Sequence, residues 1–328
     1  MEHRNLGTAG PAVSRLALGA MTFGDTTDEP TSRAMLDTFV ERGGTLIDTA
    51  DTYNGGESER IVGRWLTGRR DSVVLATKGR FPVAGGSGGV SPEYLRGALE
   101  ASLQRLGVDH IDLYQVHGPD AAYPIEGIIG FFDEAVRAGK IRYAGVSNLP
   151  GWQRAKLARL ATDVAPIVSN QPQYNLLARE VEWEVLPAAI DAGMGTLPWG
   201  PLAAGWLTGK FHRDQAPASG TRVGDAPDHV LETWERRGTD ATWRILDVLR
   251  SVASRHGVTP AQAALAWVAD RPGVTAPIVG ARTEAQLKET LDAADLHLAA
   301  EATRQLDEAS APATPPYPYW LLDQLTAR

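Results

Sequence analysis

Four titratable residues of the types that proton chemistry needs stand where consecutive apolar runs end. Asp48 lies in "TLIDTA" with Tyr53 just after it, Lys78 closes "SVVLATK", and His117 closes "HIDLYQVH". A phenol has a reference pKa of roughly 10 and gives up its proton poorly near neutrality. A lysine ammonium beside it favours the phenolate and lowers that pKa, and a carboxylate beside the lysine keeps the ammonium charged and in place. A histidine on the other side can orient a carbonyl oxygen or relay a proton. Such a set protonates an oxyanion as it forms, which is general acid catalysis. Each residue also has a plain structural account: a strand-end lysine snorkels, a histidine fills a hydrogen-bonded gap, and Asp48 caps a turn. Four of them at four matching strand ends are harder to ascribe to chance. Asp51 adds a second carboxylate to the same stretch, "LIDTADTYNGGESE".

The elements that must position these residues alternate along the chain. The β-like runs "RLALGAM", "TLIDTA", "SVVLATK", "HIDLYQVH", "IRYAGVS", "PIVSNQ", "GTLPWG" and "APIVG" are apolar nearly throughout, as in a parallel sheet buried on both faces. Helical patterns are predicted over residues 31–42, 57–67, 92–106, 125–138, 152–160, 181–192, 240–256, 260–269 and 283–291, with an extra helix over 301–308. Ser91 is a good N-cap and Pro92 a good first-turn residue. Eight strand-to-helix units in 328 residues predict an α/β fold, a (β/α)8 barrel, with an open doubly wound sheet as the alternative. No linker divides the chain, so residues 1–328 are expected to form one domain. Residues 4–6 and 12–14, flanking "GTAG", suit a small N-terminal hairpin. Two long irregular stretches, "GRFPVAGGSGGVS" and "KFHRDQAPASGTRVGDAPDHV", follow the third and seventh strands. In a barrel both lie on the C-terminal face, where loops build sites.

Composition narrows the function classes. The formal net charge is -8, from 32 Lys+Arg and 40 Asp+Glu, which argues against nucleic-acid or anionic-membrane partners. A small anionic ligand remains possible, because a few local cations and backbone N–H groups suffice. There is no cysteine, which removes disulfides, thiolate nucleophiles and thiolate metal sites. His110 and His117, seven apart, fall on opposite faces of a regular strand; no metal is expected, and a metal-dependent hydrolase is disfavoured. No signal peptide or membrane span is read, so a soluble cytoplasmic protein is expected. No G-x-G-x-x-G opens a helix and no Walker A stretch occurs; "GGSGG" lacks the spacing.

The stretch "LIDTADTYNGGESE" resembles the signature of the aldo-keto reductases, and "GAMTFG", "VVLATK", "DLYQVH", "GKIRYAGVSN", "SNQPQYN", "LPWGPLAAGWLTGK" and "PIVGARTEAQLKE" appear in that family's order. The likeness is to the branch of aryl-alcohol dehydrogenase-like and general-stress reductases. It implies a (β/α)8 barrel that binds NADPH/NADP+ without a dinucleotide-binding glycine motif and reduces a small carbonyl substrate. It places a catalytic tetrad on Asp48, Tyr53, Lys78 and His117. It implies that Ser147, Asn148 and Gln171 hold the nicotinamide carboxamide, that Trp199 stacks on the ring, and that Met21 and Thr22 lie near the ribose. Gly200, Leu202 and Lys210 would cover the pyrophosphate. Gly280 would allow close approach, Arg282 would reach the 2′-phosphate and favour NADPH over NADH, and Gln286 and Glu289 would hold the adenine end. Thr290 stands where the family commonly has Asn, which puts the adenine contact in doubt.

Substrate walls are expected at Phe23, Phe81, Tyr123 and Trp152, with Tyr317, Tyr319 and Trp320 of the C-terminal "PPYPYW" as further candidates. The resemblance extends to potassium-channel β-subunits, so a slow nicotinamide-binding regulatory protein is the alternative. The oligomeric state stays open.

Overall fold

The computed structural model describes residues 1–83, 85, 87–161, 164–225 and 232–326. The chain opens with an antiparallel hairpin, β1 (His3–Asn5) and β2 (Ala12–Ser14), with Arg4 opposite Val13. Gly7 follows β1 at φ +67°, and a Cβ there would stand 2.3 Å from the Gly193 carbonyl oxygen, so only glycine fits. Leu6 and Val13 are fully buried and join the innermost apolar cluster with Ala17, Leu46, Ala76, Leu113, Leu197 and Ala276. The hairpin therefore plugs the N-terminal end of the sheet that follows.

That sheet has eight parallel strands: β3 (Ala17–Gly19), β4 (Leu46–Asp48), β5 (Val74–Gly79), β6 (Ile111–Val116), β7 (Ile141–Ser147), β8 (Ile167–Gln171), β9 (Gly195–Thr196) and β10 (Ile278–Val279). The order is β10-β3-β4-β5-β6-β7-β8-β9. Thr275 N–H donates to the Thr196 carbonyl at 2.8 Å and Ile278 N–H to the Pro198 carbonyl at 2.8 Å. These bonds join the two ends and curl the sheet into a barrel, which removes the open-sheet alternative.

The helices are α1 (Glu29–Glu41), α2 (Glu57–Leu66), α3 (Pro92–Leu106), α4 (Ile128–Arg137), α5 (Gly151–Leu160), α6 (Val185–Asp191), α7 (Arg222–Asp225), α8 (Trp234–Arg237), α9 (Asp240–His256), α10 (Pro260–Ala269), α11 (Glu284–Leu291), α12 (Ala300–Ala309) and α13 (Tyr319–Thr326). Their ends follow local chemistry. Ser91 accepts from Tyr94 N–H, Pro92 opens α3, and Gly107 closes it in the left-handed region. Thr259 and Gln262 form a capping box on α10. On α4, Ile128, Phe131, Phe132 and Ala135 are buried, a helical stripe facing the sheet; each large side chain so buried contributes roughly 1.5–3 kcal/mol.

Two helices are shorter than their patterns predict. Residues 125–127 form a 3₁₀ turn ahead of α4. α6 starts at Val185, after a separate 3₁₀ turn, Glu180–Glu182. Pro187 explains the second case, since its ring would clash with the carbonyl four residues earlier if the helix extended upstream. α7, α8 and α13 were not foreseen. Residues 84 and 86 of the first long loop, and 226–230 of the second, lie outside the described residues. No helix among the described residues is long and apolar enough to cross a membrane.

Candidate active site

The C-terminal ends of β4, β5 and β6 bring the four expected residues together. Asp48 is the last residue of β4, Lys78 lies in β5, and His117 directly follows β6. Tyr53 opens a 3₁₀ turn whose next residue, Asn54, takes a left-handed φ of 52°. Asn54 holds that turn by donating to the carbonyls of Met21 (3.0 Å) and Phe23 (2.7 Å). The Lys78 ammonium is fully buried and donates to Asp48 Oδ1 at 2.5 Å, to the Thr49 carbonyl at 2.7 Å and to Tyr53 Oη at 3.2 Å. Asp48 Oδ2 accepts from Gln171 Nε2 (2.9 Å) and Gln115 Nε2 (3.2 Å). The edge of Tyr53 meets the His117 ring at 5.9 Å between centroids.

Burial decides the protonation states. It pushes the Tyr53 phenol above its usual value; Lys78 opposes the shift and Asp48 adds to it. The expected net lowering by Lys78 is therefore not what the folded chain has, because desolvation of the phenolate outweighs the lysine's field. Burial also works against the Lys78 ammonium, but Asp48 and Tyr53 outweigh it and raise its pKa. Burial, followed by Lys78 and Arg80, holds the His117 imidazole well below its usual pKa. Near pH 7 the set is thus a neutral phenol, a charged ammonium and a neutral imidazole. A neutral imidazole can orient a carbonyl but brings no charge to it.

These side chains open into a cavity of about 660 Å³. Asp48, Tyr53 and His117 line it, together with three cations, Lys210, Arg222 and Arg282. Burial and the neighbouring Arg282 lower the pKa of both Lys210 and Arg222. Among the described residues none of the three has an ion-pair partner; Arg282 Nη1 donates to the Gly220 carbonyl at 2.8 Å. Ala203 and Ala204, also in the wall, hold positive φ of 48° and 52°, and the Ala203 N–H donates to the Gly200 carbonyl at 2.9 Å. A Cβ added to Gly280 would meet nothing within 4 Å, so the space beside that backbone is free. Three clustered cations and the open backbone beside Gly280 make a donor set suited to a phosphate-bearing ligand, with Glu232 and Glu289 also in the wall.

A profile of the aldo/keto reductase family matches residues 15–311. The chain belongs to the aldo/keto reductase family. It is 39% identical over 325 residues to an uncharacterized oxidoreductase of Bacillus subtilis, YrpG, covering 94% of this chain and 95% of that protein. It is 36% identical over 308 residues to a probable voltage-gated potassium channel subunit beta of Oryza sativa subsp. japonica, covering 90% and 92%. It is 35% identical over 302 residues to the aldo-keto reductase YhdN of Bacillus subtilis, covering 88% and 87%. The fold class is that of the family, a (β/α)8 barrel.

In this aldo/keto reductase every residue expected at the cofactor lines the cavity: Met21, Thr22, Ser147, Asn148, Gln171, Trp199, Gly200, Leu202, Lys210, Gly280, Arg282, Gln286, Glu289 and Thr290. Several are already engaged within the protein. Ser147 Oγ donates to the Gln171 carbonyl (2.9 Å). Asn148 ties Trp199 Nε1 (2.9 Å) to the His117 carbonyl (3.0 Å).

The expected substrate walls fare differently. Phe23 is fully buried in the core between sheet and helices, which takes it out of the cavity wall. Tyr123 packs across Gly127 beside the core, and Trp152 is 61% exposed at the start of α5. Neither lines the cavity, and nor does Phe81, although it meets the His117 ring at 5.0 Å and so stands beside the expected site. Tyr317, Tyr319 and Trp320 stay off the cavity too; Tyr319 stacks on Trp183 at 5.6 Å and donates to Glu184 at 2.6 Å.

Sequence reasoning missed Gln115 and Arg222. Gln115 carried a signal, since it sits two residues before His117 in "DLYQVH" and an even spacing puts both on one face. Arg222 carried none beyond its place in the long loop after β9.

Proposed function

We propose that this chain is an NADP(H)-dependent carbonyl reductase in which Tyr53 donates the proton to an aldehyde or ketone oxygen. The observation that carries this reading is the buried Asp48–Lys78–Tyr53 chain, whose Asp48 and Tyr53 line a cavity with three cations that have no ion-pair partner among the described residues. A reduced nicotinamide, when bound there, supplies the hydride. Arg282 is assigned to its 2′-phosphate, with Lys210, Arg222 and the Gly200 loop on the pyrophosphate. Trp199 flanks the ring.

Tyr53 stays protonated until an oxyanion develops beside it, because burial penalises its phenolate. Lys78 favours that phenolate as the proton leaves, and Asp48 keeps Lys78 charged and aimed. His117, neutral, orients the carbonyl oxygen. Phe81 forms the near wall of the substrate site.

The test is oxidation of NADPH with 4-nitrobenzaldehyde, followed by absorbance, beside Tyr53→Phe and with NADH as a second cofactor. Tyr53→Phe is expected to lower kcat by roughly 10²-fold or more, the usual worth of a general acid, with NADPH affinity nearly unchanged. Near-full activity in that variant would remove Tyr53 from its role, and equal kinetics with NADH would remove Arg282 from its own. A regulatory reading draws on the likeness to the rice protein named as a channel subunit. Slow turnover with tightly retained cofactor would favour it.

A further inference from the structure

The mechanism above gives no part to a buried carboxyl that stands between Asp48 and Tyr53 in the chain. Asp51 is fully buried, and among the described residues neither of its carboxyl oxygens has a hydrogen-bond partner. Its backbone N–H donates to the Lys78 carbonyl at 3.0 Å, which locks it to the strand that carries the tetrad lysine. The Thr52 N–H lies near enough to favour the anion without meeting hydrogen-bond geometry. The charged and titratable groups acting with it come from every neighbouring element: Glu59 from α2, Tyr94 and Arg105 from α3, Lys78 from β5 and Tyr114 from β6.

These charges close in pairs that exclude Asp51. Glu59, itself fully buried, accepts from Arg105 Nε at 2.6 Å and from Thr77 Oγ1 at 2.6 Å. Asp48 is paired with Lys78. Asp51 is left with no cation of its own and a like charge at Glu59. Tyr114 Oη, also buried, has no partner either. A carboxylate so placed loses its hydration and gains no donor, so the neutral acid is the cheaper form. Consistent with that geometry, burial and then Glu59 push the Asp51 carboxyl up to about 7.

We propose that Asp51 is a positioning residue of the carbonyl reduction: neutral, it leaves the field of Lys78 directed at Tyr53, and ionised, it offsets that field and makes Tyr53 a weaker acid. This rests on the reductase reading above. No bond changes at Asp51; its charge is felt at Tyr53 through Lys78.

Two measurements on wild type and Asp51→Asn test it. The first is unfolding stability against pH without cofactor. A carboxyl whose folded pKa is raised contributes stability that is complete below its unfolded pKa and is lost as pH rises toward about 7. Wild type is expected to lose stability relative to Asp51→Asn over that window, with the difference levelling off above it. The second is the pH profile of aldehyde reduction. Wild-type kcat is expected to fall roughly three-fold or more from about pH 6 to about pH 8 through one ionisation, which is missing from the Asp51→Asn profile.

Parallel stability curves would overturn the proposal, and so would a lost stability slope with superimposable rate profiles. Should Asp51→Asn fail to fold, Glu59→Gln serves instead. It removes the like charge and frees Arg105, so the ionisation in the rate profile should move to lower pH; an unmoved profile would overturn the proposal. Absence of turnover in wild type at any pH would sink the reductase reading, and the coupling with it, whereas turnover with a flat wild-type profile would sink only the coupling.

Discussion

Arg154 has a fully buried side chain, and its Nε, Nη1 and Nη2 have no partner among the described residues. It sits on the inward face of α5 with Gly151 and Leu157, a position where an apolar side chain would be expected. Burial lowers its guanidinium to about 9, which is a cost to the fold at neutral pH. Arg154→Met should therefore raise the stability at pH 7 by about 1 kcal/mol or more. The folded chain releases this proton more readily than the unfolded one, so wild type should recover relative to the variant as pH rises through about 9. Thermal unfolding at two pH values checks both statements. The same burial explains which site properties could be read in advance. Asp48, Tyr53, Lys78 and His117 were legible because strand ends converge in a barrel. The upward shift of Tyr53 and the neutrality of His117 were not, since both depend on how much water the packed site excludes.

Helix ends were the most legible local features. Ser91–Pro92 opens α3 as read from the sequence, and α10 spans the expected residues 260–269 with Thr259, a cap that was not singled out, before it. Thr259→Ala removes one hydroxyl acceptor from the capping box and should lower stability by about 1 kcal/mol, read as a lower Tm. Ala261, next in that helix, lines the cavity, so any loss of NADPH affinity in the variant would show that α10 helps shape the wall. Elements governed by a single steric feature were less legible. Pro187 shortens α6, and the apolar pattern through residues 181–192 hid that effect.

Beyond residue 311, where the family match ends, the chain continues into α13. Tyr319 docks on Trp183 and Glu184, while Tyr317, Trp320, Leu322 and Leu325 remain exposed and none of them lines the cavity. Removal of residues 312–328 should leave the barrel folded and NADPH affinity unchanged, with turnover of small aldehydes preserved. A changed substrate preference in the truncated chain would mean that this segment reaches the site when substrate is bound. At the other end of the barrel, Arg15 is fully buried and donates to Asp270 at 2.7 Å and to the carbonyls of Ala294 (2.7 Å) and Leu296 (2.9 Å). It ties the first barrel strand to the segments after α10 and α11, a closure that no local pattern announces.

Along the chain, apolar runs of strand length, helical periodicity and cap residues were sufficient to determine the βα alternation, and with it the barrel and the strand ends that bring Asp48, Lys78 and His117 together. Those properties are local or topological, and a sequence records them directly. Three outcomes depended on packing between distant segments. Phe23 went to the core, because its side chain found the helix layer. Arg222 came to the cavity wall from a loop far along the chain. Asp51 lost every partner, because Lys78 and Arg105 were already paired. Burial and pairing in three dimensions set these energies, and residue order alone does not state them.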